Sequence, residues 1–94
     1  MIITSNPIGS SVSSTITSSG SLQGNYITVV VESPCAITLP DATGYKEVTI
    51  TSVTTGLVIV NSINNQKISG LLSVTLNQYD TLQIRSNSSR WVIV

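Results

Sequence analysis

Residues 26–32 read Tyr-Ile-Thr-Val-Val-Val-Glu, and this stretch decides the fold. β-Branched side chains are stiff at χ1 and fit a pleated surface better than a helix. Ile27, Val29 and Val31 share one parity and so lie on one face of an extended strand, while Val30 puts an apolar side chain on the other face. The same density recurs at 57–60 (Leu-Val-Ile-Val) and at 91–94 (Trp-Val-Ile-Val). Between these runs, 48–51 (Val-Thr-Ile-Thr) and 72–76 (Leu-Ser-Val-Thr-Leu) alternate apolar and hydroxyl residues, the pattern of a strand with one buried and one wet face.

Working outward, strands are expected at 26–32, 35–39, 47–53, 57–62, 66–69, 72–76, 81–86 and 90–94. Ser33 and Pro34 close the first of these, residues 40–44 form a polar loop, and Gly56 and Gly70 stand where positive φ is tolerated. Asn64 and Asn65 mark another tight turn. No segment carries the 3.6-residue apolar stripe of a helix, and no internal repeat stands out. The expectation is an all-β chain: a small antiparallel β-sandwich or barrel of about eight short strands. It occupies 25–94, preceded at 1–24 by a Ser/Thr-rich N-terminal arm or edge strand, in which Val12, Ser14 and Ile16 share one parity.

Composition narrows the function. Charged residues make up 9% of the 94 residues, against about 25% in ordinary soluble proteins. The four cations (Lys46, Lys67, Arg85, Arg90) and four anions (Glu32, Asp41, Glu47, Asp80) cancel, so there is no basic stripe for a phosphate backbone. Nucleic acid is not an expected partner. Nor is a membrane: no run reaches the roughly 18–20 apolar residues of a span, and Met1 to Gly9 lacks the cationic and apolar regions of a secretory signal.

Catalysis is not expected either. The chain has no histidine to activate its many serines, and its four acids show no paired spacing. Without histidine, and with Cys35 the single cysteine, a Cys/His metal site and an internal disulfide are both excluded. Cys35 reads as a small buried residue beside Ala36. Asp41 reads as a turn residue whose side chain caps local amides, in preference to a calcium ligand. Residues 87–89 (Asn-Ser-Ser) read as a solvated turn in preference to a glycosylation site. Tyr26, Tyr45, Tyr79 and Trp91, the only aromatics, read as core or interface packing with the polar tip reaching a partner. No cofactor is expected.

Strands that are apolar on both faces need two covers. The chain offers no helix for the second, so a sister subunit is the simplest one, and each Val or Ile so buried contributes on the order of 1.5–3 kcal/mol. The expected interface residues are Trp91, Val92, Ile93, Val94, Val58 and Val60. A lysine at position 92 or 94 would then weaken assembly.

The run Ile37-Thr38-Leu39-Pro40 with Gly44 following, then Val48 to Thr51, Gln66-Lys67-Ile68-Ser69-Gly70, Leu76, Asp80 to Ile84 and finally Trp91-Val92-Ile93 resembles the C-terminal β-domains of bacteriophage tail fibres, head fibres and related virion appendages. The resemblance covers about residues 26–94. It implies a non-catalytic, trimeric, sandwich-like protein of the virion. Two departures stand out: Ile68-Ser69-Gly70 replaces the family's Ile-Asp-Gly, and no long shaft precedes the domain. The second favours a short spike or capsid decoration protein, with the Ser-rich arm as its attachment to other capsid proteins. The alternative function is recognition of a host receptor or carbohydrate.

Overall fold

A computed structural model describes residues 12–94. They form nine short strands and no helix: β1 (Val12–Ile16), β2 (Gly20–Ser21), β3 (Tyr26–Val31), β4 (Cys35–Thr38), β5 (Glu47–Ser52), β6 (Val58–Asn61), β7 (Ser73–Leu76), β8 (Thr81–Asn87) and β9 (Arg90–Ile93). Two mixed sheets result. The first, sheet A, has the order β1-β3-β5-β8-β9, and the second, sheet B, the order β2-β4-β6-β7.

The chain alternates between the sheets from β1 to β6, and each return pairs in parallel with the strand two earlier: β1 with β3, β3 with β5, β2 with β4, β4 with β6. Parallel neighbours need a crossover, and here the crossover is a strand of the opposite sheet instead of a helix. Register partners fall at Val12, Ile27 and Val48 in sheet A and at Gly20, Ile37 and Val60 in sheet B. Each of the last three strands runs opposite to the neighbour it joins, giving antiparallel pairs β6–β7, β5–β8 and β8–β9. The expected antiparallel arrangement is therefore corrected to mixed sheets, and the barrel to two open ones.

Inward rows meet in one core. Ile27, Val48 and Ile84 lie in register across sheet A, followed by Val29, Ile50 and Leu82. Across sheet B the rows are Cys35, Val58, Leu76 and Ile37, Val60, Val74. All but Cys35 and Val74 are buried, and Trp91 and Ile68 complete the cluster.

The expected strand at 66–69 shrinks to a single bridging residue, Ile68, which pairs with Leu71 and Trp91 and has a turn on either side. Asn64 (φ 53°) and Asn65 (φ 58°) bend the chain into it, and Ser69 (φ 47°) with Gly70 (φ 90°) reverses it again. Positive φ at both central residues is the signature of a tight primed turn, and Ile68 and Leu71 exchange backbone hydrogen bonds of 2.6 and 2.9 Å across it. Gly56 has no positive φ; its lack of a side chain serves close packing against Pro34.

Of the expected arm, residues 1–11 lie outside the described residues. Val12–Ile16 and Gly20–Ser21 are edge strands of the two sheets and part of the same folded unit as the strands after residue 25.

Candidate functional site

The outward rows of the two sheets differ in chemistry. In sheet B, no strand carries a charged residue. Its outer positions run Ala36, Ile59, Thr75 in one register row and Ser21, Thr38, Asn61, Ser73 in the next. Ile59 is 40% exposed and Leu57, just before β6, is 56% exposed. The partners of these outward residues along the same strands, Val58 and Val60, are fully buried. One strand is thus apolar toward both sides, and the second side is open among the described residues.

Sheet A presents a polar and aromatic face. Tyr26, Glu47, Arg85 and Val92 stand in one register row, and Thr28, Thr49 and Gln83 in the next. The Tyr26 and Tyr45 rings lie 6.2 Å apart, inclined at 49°. The Tyr45 hydroxyl donates to Glu47 Oε2, and that bond raises the Tyr45 pKa above its ordinary value by stabilising the protonated phenol. Both rings are substantially exposed.

The six expected interface residues divide by burial. Trp91, Val58 and Val60 are fully buried in the core of the chain and have no surface to offer a neighbour. Val92 and Val94 are exposed, as is Ile93, whose register partner Ile84 is buried. Trp91 packs in the core, one of the two roles expected for it, but its Nε1 has no hydrogen-bond partner within the described residues, so its polar tip reaches nothing there. Tyr79 sits at φ 68°, highly exposed, on the turn from β7 to β8, where its amide donates to Ser52 O at 2.6 Å.

Leu57, Ile59 and Tyr26, absent from the expected interface and central to these faces, were detectable by parity alone. Each is the outward neighbour of a core residue.

Asp41 organises the 41–44 loop. Its Oδ1 accepts from the Thr43 amide (2.8 Å), the Thr43 hydroxyl (2.6 Å) and Gln66 Nε2 (3.0 Å). These bonds, led by the Thr43 hydroxyl and Gln66, hold its carboxyl down at about 2. All three bonds converge on the one oxygen, Oδ1, which pins the turn and ties it to Gln66. Cys35 is half-buried against the core, and burial pushes its thiol pKa up, away from nucleophilic character.

Compared with protein-family models, with curated proteins and with solved structures, the chain matches none.

Proposed function

We propose that this chain is a non-catalytic structural subunit of a virion surface, a decoration, head-fibre or short-spike component, that works as a homo-oligomer. The observation that carries the assembly is the outer face of sheet B. Charged residues are depleted from the cores of protein interfaces, and this face has none on its strands while exposing Leu57 and Ile59. A second copy of the chain is the occupant that suits it. Two uncharged faces meet without like-charge contacts, whereas a charged partner would have to surrender its hydration for nothing in return.

The virion setting and the trimer rest on the resemblance to fibre C-terminal domains, carried by residues 37–40, 66–70 and 91–93. Contact with other virion proteins through the N-terminal segment belongs to the same proposal.

Sedimentation equilibrium tests the assembly: the expected mass is a multiple of 9.9 kDa. A monomer at micromolar concentration overturns it. A density map of a particle containing this chain tests the setting.

A further inference from the structure

We infer that the outer face of sheet A is a binding site for an uncharged oligosaccharide, built from Tyr26, Tyr45, Glu47 and Arg85. Three observations lead there. First, Tyr26 and Tyr45 are paired with each other and yet exposed (39% and 51%), so their ring faces are not used up by the core. Exposed aromatic rings offer the apolar faces on which the C–H side of a pyranose stacks. Second, the register row that starts at Tyr26 continues through Glu47 to Arg85, which sets a hydrogen-bond acceptor and a fork of donors beside the rings. The Tyr45 hydroxyl orients the carboxylate by donating to it. Third, the neighbouring row supplies Thr28, Thr49 and Gln83, short polar groups of both donor and acceptor type.

The charge pattern selects the ligand class. Glu47 and Arg85 are direct register partners, so the site presents one charge of each sign and no net charge. An anionic glycan gains at Arg85 what it loses at Glu47, and a cationic ligand the reverse. A ligand of many hydroxyls and no charge uses both, because each hydroxyl both donates and accepts. Tyr79, on the β7–β8 turn, and the buried Trp91 are not part of the site.

This inference is independent of the assembly proposed for sheet B, since the two sites lie on outer faces of different sheets. The test is a titration of the isotope-labelled full chain, followed by amide chemical shifts, with four probes: maltohexaose, cellohexaose, fully N-acetylated chitotetraose and a heparin hexasaccharide. The expected result is binding of at least one of the three uncharged probes, with shifts centred on residues 26, 45, 47, 83 and 85. Tyr26→Ala and Tyr45→Ala should each weaken that binding about tenfold or more, as loss of an aromatic anchor does, while Tyr79→Ala leaves it unchanged. Both rings are exposed, and the amide spectrum of each variant reports directly whether it is folded. Glu47→Gln, which keeps the shape of the side chain, is a second variant expected to weaken binding. No binding of any uncharged probe at millimolar concentration overturns the inference; so does binding that survives both tyrosine substitutions, or tighter binding of the heparin probe. Repeating the titration on Ile59→Lys separates the two readings, because loss of assembly there should leave the shifts intact.

Discussion

Gly56 lies against the ring of Pro34 so closely that a Cβ at position 56 would stand 2.2 Å from Pro34 Cγ and 2.8 Å from Pro34 Cβ. The two positions flank β4 and β6, neighbouring parallel strands of sheet B, so the contact fixes how closely the connections into those strands approach. Proline cannot rotate away, because its ring is tied to the backbone. Gly56→Ala should therefore destabilise the fold by about 1–3 kcal/mol, the usual range for overpacking. Urea unfolding measures it, and Pro34→Ala in the same chain should recover most of the loss. A neutral single variant would mean that the two loops separate freely.

Gln66 ties the 41–44 loop to the body. Its Oε1 accepts from the Ala42 amide at 2.9 Å and its Nε2 donates to Asp41. Ala42 is fully buried. Gln66→Ala leaves that amide without its partner, and an unsatisfied buried donor costs about 1–3 kcal/mol. The expected signature is a loss of stability accompanied by faster hydrogen exchange at Ala42. Unchanged exchange there would count against the assignment.

Acid should loosen the same loop. The Asp41 carboxyl is held at about 2 in the folded chain, below its ordinary 3.8, so the folded state favours the ionised form. Its contribution to stability is present in full above the unfolded value and is lost as pH falls from about 4 toward 2. Asp41→Asn should be less stable than the parent at neutral pH, with the gap closing across that window. Thermal unfolding of both proteins from pH 2 to 6 checks the sign; a gap that widens on acidification would contradict it.

Trp91 is the largest fully buried side chain among the described residues, and its Nε1 donor has no partner among them. Trp91→Ala should cost about 3–5 kcal/mol through the cavity it leaves. Trp91→Phe should cost much less, because it removes less volume and also the orphaned donor. Comparable losses in the two variants would show that the indole N–H is satisfied in solution.

Two charge insertions test where the copies of the proposed oligomer would meet. Ile59→Lys places a charge on the uncharged face of sheet B and should weaken that assembly most. Val92→Lys enters the row that already holds Glu47 and Arg85 and should have the smaller effect. Both substituted residues are at least partly exposed, so each variant should remain folded. Sedimentation of the pair ranks the two faces, and the reverse order would move the contact to β9.

Much of the fold is legible because side-chain parity reports burial. The alternation at 81–87 places Leu82, Ile84 and Ser86 inside and Thr81, Gln83 and Arg85 outside, and the structure follows it strictly. Parity says nothing about strand direction. Val48-Thr49-Ile50-Thr51 pairs in parallel on one side and antiparallel on the other with the same pattern, which is why the parallel winding is invisible in the letters. A repeat is invisible too, since the winding's register positions, 12, 27 and 48 against 20, 37 and 60, are unevenly spaced. At 66–69 the apolar Ile68 suggests a strand, and only the backbone of Ser69 shows the reversal. Of the six residues that apolar content marks for an interface, the pleat turns Trp91, Val58 and Val60 inward and leaves Val92, Ile93 and Val94 exposed, while Ile59, outside that set, is exposed as well.

At the β9 rim, Trp91 donates to Lys67 O and accepts from the Ser69 amide, both at 2.8 Å, and Ile93 N donates to Ser69 Oγ at 2.9 Å. Those main-chain groups are spoken for within a single molecule, so a passing strand finds no template there on which to zip. Recognition at this border has to be written in side chains, and one point substitution can therefore erase it without disturbing the molecule behind.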